Sequence, residues 1–131
     1  MQRSSSNFLL IVDDHTDNLS ILSHMLKDTG YAVRVAIDGE SALEQIAYDP
    51  PDLILLDVMM PGIDGFETCR RLKENPATTD IPVIFITALA DSSYKIKGLS
   101  LGAADYITKP WNAEEVMARV QGQMETKKFL Q

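Results

Sequence analysis

The sequence predicts an α/β protein built on a doubly wound parallel sheet. Five short apolar runs alternate along the 131 residues with five longer stretches that have the periodicity of amphipathic helices. The apolar runs are rich in Val, Ile and Leu without clear polar alternation, which is typical of strands buried on both faces. Alternation of strand and helix indicates a parallel sheet with helices on both faces, and the right-handed crossover rule restricts it to doubly wound arrangements.

The first elements along the chain have clear boundary signals. Leucines at i, i+3 and i+7 predict a first helix over Asp17–Thr29, and Gly30 ends it. Asp38 and Asp64 are suitable N-caps for the second and third helices. The five predicted strands are Phe8–Val12, Ala32–Ala36, Leu53–Leu56, Val83–Ile86 and Asp105–Ile107.

The last two helices have weaker boundaries. A fourth helix is predicted from Asp91 or Ser92 to Leu101, although Gly98 inside it weakens that prediction by about 1 kcal/mol relative to alanine. Asn112 is the expected N-cap of the fifth helix, which meets no stop signal before the end of the sequence.

The predicted strands and helices form one domain over residues 7–125. Residues 1–6 are polar, lack the pattern of a secretion signal, and are expected to form a disordered tail. Residues 126–131 keep a helical pattern. Two alternatives are open for this helical tail: a frayed end of the last helix, or a connection to an output domain.

Composition argues against several classes of function. Twelve Lys and Arg against 19 Asp and Glu give a net charge of −7, so direct nucleic-acid binding is not expected. No apolar run approaches the ~20 residues that span a membrane. Cys69 is the only cysteine, which rules out an internal disulfide and fits a cytoplasmic location.

Polar residues follow the predicted strands at the point where each one ends. Asp13 and Asp14 come after the first strand, Asp57 after the third, Thr87 after the fourth and Lys109 after the fifth. The carboxyl ends of parallel strands share one edge, and ligands bind there where the strand order reverses. If the strand order is 2-1-3-4-5, the three carboxylates converge on one crevice.

These residue types suit phosphoryl transfer to a carboxylate. Clustered carboxylates repel one another, and a hard divalent cation such as Mg²⁺ relieves that repulsion with oxygen ligands. Asp57 beside such a cation can attack phosphorus, while Lys109 and the Thr87 hydroxyl neutralise and bind the phosphoryl oxygens. Three backbone N–H groups are placed to complete the cradle: those of Val58, Met59 and Ala88.

Four segments together resemble bacterial response-regulator receiver domains of two-component signalling over about residues 8–125. They are LLIVDDHTDN, PDLILLDVMMPGIDGFETCRRLK, IPVIFITALA and GAADYITKPW. The resemblance implies the flavodoxin-like (βα)₅ fold of the chemotaxis response regulator, with a five-stranded parallel sheet in the order 2-1-3-4-5.

The resemblance also implies a metal site and a phosphoacceptor. Asp57 matches the phosphoacceptor, which becomes an aspartyl phosphate. Asp14, Asp57 and the backbone carbonyl of Met59 match the ligands of Mg²⁺ or Mn²⁺, and Asp13 matches an acid that assists through water. His15 and His24 are not expected to bind the metal.

Four further residues match a catalytic and switching group. Lys109 matches the family's site lysine, and Pro110 matches a proline that usually follows a cis peptide bond. Thr87 matches the switch hydroxyl. Tyr106 matches the switch aromatic, and its alternative is a simple half-buried strand residue.

The implied function is a phosphorelay switch and not a conventional turnover enzyme. A histidine kinase or histidine phosphotransfer protein would supply the phosphoryl group, and the domain would catalyse its own phosphorylation and dephosphorylation. The last two helices and the fifth strand would carry the signal to an output domain or downstream protein. A homodimer is compatible with this arrangement, and a membrane partner is not expected.

Rival functions lack their own motifs. A haloacid-dehalogenase-type phosphatase would have a DxD pattern, with a second acid two residues after the nucleophile. Asp57 is followed by Val58-Met59, so that second acid is absent. Neither GxGxxG nor GxxxxGK[ST] occurs, so the sequence lacks the phosphate-binding loop that a nucleotide- or flavin-binding module would need. A receiver that only docks is the remaining alternative, and the complete residue set favours the phosphorylated form.

Overall fold

The computed structural model describes residues 7–130, with side chains described as far as Thr126. The tail predicted at residues 1–6 lies outside the described residues. The strands are β1 (Phe8–Val12), β2 (Ala32–Ala36), β3 (Leu53–Leu56), β4 (Val83–Thr87) and β5 (Asp105–Thr108). The helices are α1 (Thr16–Asp28), α2 (Gly39–Tyr48), α3 (Gly65–Glu74), α4 (Ser92–Ser100) and α5 (Ala113–Leu130).

The five strands form one parallel sheet in the order β2-β1-β3-β4-β5, which confirms the predicted fold class. The chain moves from β1 outward to β2 and then crosses to β3 on the other side of β1. The strand order therefore reverses between β1 and β3, where a crevice opens at the carboxyl edge.

Two apolar layers pack on the sheet, because successive strand residues point to opposite faces. Leu9 and Ile11 of β1 pack with α1 and α5, whereas Leu10 and Val12 pack with α2 and α3. Among the described residues, no helix combines the length and apolar character needed to cross a bilayer.

Capping side chains fix several helix starts as expected. Asp38 and Asp64 accept hydrogen bonds from Ser41 N and Glu67 N, both at 2.8 Å. Asn112 accepts one from Glu115 N at 3.1 Å. Asp91 occupies the N-cap position of α4 without a side-chain hydrogen bond.

The expectation that every strand is buried on both faces is wrong for β2. Only Ala36 of this strand is buried, and Val35 is 42% exposed. β2 is an edge strand that pairs with β1 alone, and the flanking helices leave most of its residues uncovered, whereas β5 at the other edge keeps Tyr106 and Ile107 buried. Arg34 of β2 lies on the surface, with its guanidinium 3.9 Å from the centroid of the Phe8 ring.

Candidate functional site

The site is assembled where four strands end. Asp13 and Asp14 follow β1, Asp57 follows β3, Thr87 ends β4, and Lys109 follows β5. Backbone hydrogen bonds hold these ends in register: Asp57 N donates to Val12 O at 3.0 Å, and Lys109 N donates to Thr87 O at 2.8 Å. The structure thus brings all five predicted residues to one edge of the sheet.

An acidic cluster occupies the crevice between β1 and β3. It consists of Asp13, Asp14 and Asp57, and the imidazole of His15 lies beside it. Each of the four offers one potential ligand atom, and these atoms all lie within 4.8 Å of one another. The cluster concentrates negative charge, which makes it attractive to a cation.

The Asp57 side chain is buried at the edge of the sheet and hydrogen-bonded to the backbone. Its side chain is 5% exposed, and its Oδ1 accepts hydrogen bonds from Val58 N at 2.7 Å and Met59 N at 3.4 Å. Two of the N–H groups expected to cradle phosphate therefore bind the Asp57 carboxylate itself. Gly65 packs directly on this backbone, since a Cβ there would collide with Asp57 and lie 2.8 Å from Val58 Cα.

Lys109 bridges the two buried carboxylates. Its Nζ lies 3.1 Å from Asp13 Oδ2 and 3.2 Å from Asp57 Oδ2. Burial lowers the pKa of Lys109, but the hydrogen bonds and charges of the two aspartates outweigh it, and the net pKa is raised. Lys109 is therefore a fixed positive charge at the cluster. The Lys109–Pro110 peptide bond is cis, the conformation that the resemblance implied.

Asp13 and Asp14 have different surroundings although they are adjacent. Both oxygens of Asp13 are used: Oδ1 accepts from His15 N at 2.9 Å, and Oδ2 accepts from Lys109 and from Asn18 Nδ2 at 3.3 Å. Asp14 Oδ1 is buried and has no hydrogen-bond partner among the described residues. His15 Nδ1 lies 3.2 Å from that oxygen, but outside hydrogen-bond geometry. Asp14 therefore has a free oxygen available to a cation.

Thr87 and Tyr106 are joined through the backbone of Leu89. Leu89 N donates to Thr87 Oγ1 at 3.4 Å, and the Tyr106 hydroxyl donates to Leu89 O at 2.7 Å. Thr87 is fully buried, and Tyr106 is 5% exposed with its ring 5.8 Å from that of Phe85. Burial, followed by the charges of Asp57 and Tyr94, raises the pKa of Tyr106. The loop between β4 and α4 is thus hydrogen-bonded to both side chains through Leu89.

An open cleft of about 620 Å³ leads to the acidic cluster from the side of α4. Asp14 and His15 line it at one end. Met59, Leu89 and Tyr94 give it mainly apolar walls. The cleft leaves the edge of the sheet beside the acidic cluster accessible from outside.

Two features of the site were not identified from the sequence. Asn18 hydrogen-bonds Asp13 from the first turn of α1, and the backbone of Leu89 makes hydrogen bonds that no side-chain pattern could indicate. Ala88, the third residue expected to cradle phosphate, lies exposed in the loop that follows Thr87.

Comparison with known proteins identifies the arrangement. The family described as "Response regulator receiver domain" matches residues 9–121. The chain belongs to the response-regulator receiver family. Response regulator PleD of Caulobacter vibrioides is 49% identical over 113 residues, which are 86% of this chain and 25% of PleD. The transcriptional regulator RpaA of Synechocystis is 43% identical over 113 residues, or 86% of this chain and 47% of RpaA.

Solved receiver structures share the fold. A response regulator from Chloroflexus aurantiacus has a TM-score of 0.88 and 40% identity, covering 92% of this chain and 99% of that one. The receiver domain of a histidine kinase from Syntrophus aciditrophicus has a TM-score of 0.86 and 36% identity, covering 92% of each chain. The chain thus has the CheY-like flavodoxin fold.

Membership makes this chain a two-component signalling domain and not a conventional enzyme. It spans about a quarter to a half of the length of the curated relatives it matches. Receiver domains bind Mg²⁺ at an acidic pocket, and the acidic cluster fits that ion. The buried, unpartnered oxygen of Asp14 supports the fit, because a hard cation prefers oxygen ligands.

Proposed function

We propose that this domain accepts a phosphoryl group on Asp57 from the phosphohistidine of a histidine kinase or histidine phosphotransfer protein. The proposal rests on the groups that surround the Asp57 carboxylate. It is fixed by two backbone N–H groups and lies beside Lys109 and the free oxygen of Asp14. A nucleophile held in this way needs little reorganisation before attack.

The transfer exchanges one bond at phosphorus for another. One carboxylate oxygen of Asp57 forms a bond to phosphorus as the P–N bond to the donor imidazole breaks, and the departing imidazole takes up a proton. Lys109, already at the carboxylate, neutralises charge on the phosphoryl oxygens. Asp14, Asp57 and the Met59 carbonyl would hold Mg²⁺ or Mn²⁺, with Asp13 assisting through water. The bound ion supplies further charge neutralisation.

The phosphoryl group would be read out through Thr87. A new acceptor at Asp57 attracts the Thr87 hydroxyl, which releases its 3.4 Å contact with Leu89 N. Because Leu89 O also accepts from Tyr106, a shift of this loop reaches the Tyr106 ring. Phosphorylation favours the state in which Thr87 and Tyr106 have moved, because the phosphoryl group is better bound in that state. Thr87 and Tyr106 therefore form the switch.

The output face would comprise α4, β5 and α5. Two apolar residues of α4 are open to solvent: Ile96 and Leu99 are 64% and 42% exposed. An output domain, a downstream protein or a second copy of the chain would bind this face. A domain that meets histidine kinases in this way would work in the cytoplasm.

Intact-mass measurement tests the phosphoacceptor directly. We expect the wild type, incubated with Mg²⁺ and acetyl phosphate, to gain one phosphoryl group that is lost at alkaline pH. Asp57→Asn should gain none, because it lacks the nucleophilic oxygen. Equal gain by Asp57→Asn would refute the proposal.

A further inference from the structure

His15 faces the acidic cluster, and no function in the phosphoryl transfer has been assigned to it. Its Nδ1 lies 3.2 Å from Asp13 Oδ1 and 3.2 Å from Asp14 Oδ1. The second of these oxygens is the buried atom without a hydrogen-bond partner. An imidazole nitrogen is therefore present among the oxygens that would hold the metal.

The ring of His15 makes one hydrogen bond to the protein, between Nδ1 and Asp13 Oδ1 at 3.2 Å. His15 occupies the N-cap position of α1, but its side chain makes no capping hydrogen bond. Its backbone is fixed independently, since His15 N donates to Asp13 Oδ1 and His15 O accepts from Leu19 N at 3.2 Å. The side chain is 66% exposed, so the ring can adjust at little energetic cost.

We propose that His15 is an additional protein ligand of the divalent cation at Asp14 and Asp57, and that it biases the site towards late transition metals. The proposal rests on the metal site of the proposed function and revises the expectation that His15 does not bind the metal. Neutral imidazole donates a nitrogen lone pair, which Ni²⁺ and Zn²⁺ bind well and Mg²⁺ does not.

An alternative is that His15 only balances the charge of the two aspartates. In that case its removal would change the affinity for all divalent cations in the same proportion. Ligation by nitrogen instead changes the ratio between a transition metal and Mg²⁺. The ratio of the two affinities therefore separates the two functions of the ring.

Isothermal titration of the untagged chain with Ni²⁺, Zn²⁺ and Mg²⁺ chlorides tests the proposal without a phosphodonor. We expect His15→Ala to weaken Ni²⁺ and Zn²⁺ binding by roughly tenfold or more, and Mg²⁺ binding by less than about twofold. His24→Ala is the matched control, because His24 is an exposed histidine of α1, the helix that begins directly after His15. It should bind all three ions as the wild type does.

Two outcomes would overturn the proposal. The first is an unchanged ratio of Ni²⁺ to Mg²⁺ affinity in His15→Ala. The second is wild-type Ni²⁺ affinity in Asp14→Asn, which would place the nitrogen ligand elsewhere. Either result leaves the phosphoacceptor assignment intact if Asp57 is still phosphorylated, so failure of this proposal is distinguishable from failure of the proposed function.

Discussion

Lys109 is the side chain on which the electrostatics of the site depend. It is 18% exposed and forms ion pairs with Asp13 and Asp57, whose side chains are 4% and 5% exposed. Removing one partner from a buried ion pair is costly, because the remaining charge keeps its desolvation penalty without compensation. Lys109 therefore stabilises the metal-free fold as well as serving the proposed chemistry.

Lys109→Met should destabilise the protein by about 3 kcal/mol in metal-free buffer, as urea unfolding with a chelator would measure. The substitution keeps an apolar stem but leaves two buried carboxylates unpaired. In the Asp57→Asn background the loss should be smaller, because only Asp13 is then left unpaired. Equal losses in both backgrounds would contradict this account of the ion pairs.

The same ion pairs predict a pH dependence. The folded-state pKa of Lys109 is raised above its ordinary value of 10.5, so the folded state favours the charged amine. This stabilisation is complete below pH 10.5 and is lost as the pH rises through the raised pKa. The difference in unfolding free energy between wild type and Lys109→Met should therefore be constant from neutral pH to about pH 10 and shrink above it. A difference that grows at high pH would contradict the assignment.

At the scale of elements, Gly98 explains how α4 approaches the sheet. A Cβ on Gly98 would lie 3.1 Å from atoms of Phe85 and 3.1 Å from Tyr106 Cδ2. Phe85 cannot easily yield, because it is fully buried with the Phe66 ring at 5.4 Å on another side. The glycine that weakened the helix prediction is thus a requirement of packing.

Gly98→Ala and Gly122→Ala form a matched pair of helix substitutions. Alanine adds about 1 kcal/mol of helix propensity at either position. At Gly122 nothing lies within 4 Å of the new Cβ, so that variant should gain stability. At Gly98 overpacking should exceed the gain and leave a net loss of about 1 kcal/mol. Thermal or urea unfolding would measure both, and equal stabilisation would refute the close approach of α4.

The loop between β4 and α4 is the element that the proposed switch moves. In the wild type, Mg²⁺ with beryllofluoride should change amide exchange in residues 88–91 and in α4, measured by hydrogen–deuterium exchange. Thr87→Ala should lose that change, because it has no hydroxyl to shift. Thr29→Ala is the control, because Thr29 lies at the C-cap of α1 and its hydroxyl donates to Leu26 O at 2.8 Å, outside the site. The same exchange response in Thr87→Ala would exclude coupling through Thr87.

At the scale of the whole molecule, the resemblance to receiver domains implied the sheet order, and the polar residues at the strand ends predicted the edge that carries the site. Strand ends are determined locally, and parallel pairing brings them together, so Asp57 and Lys109 could be placed without coordinates. The exposure of β2 was not predicted although the predicted order places β2 at an edge, because it depends on how far the flanking helices cover that edge. The unpartnered oxygen of Asp14 and the backbone contacts of Leu89 depend on atomic orientation, which residue spacing does not determine.

Asp57 alone is expected to receive the phosphoryl group. Borohydride reduction converts an aspartyl phosphate to homoserine, and peptide mass spectrometry then locates the reduced residue. After incubation with Mg²⁺ and acetyl phosphate, the account predicts homoserine at position 57 and unmodified aspartate at positions 13 and 14. Homoserine at position 13 or 14, or at no position, would contradict it.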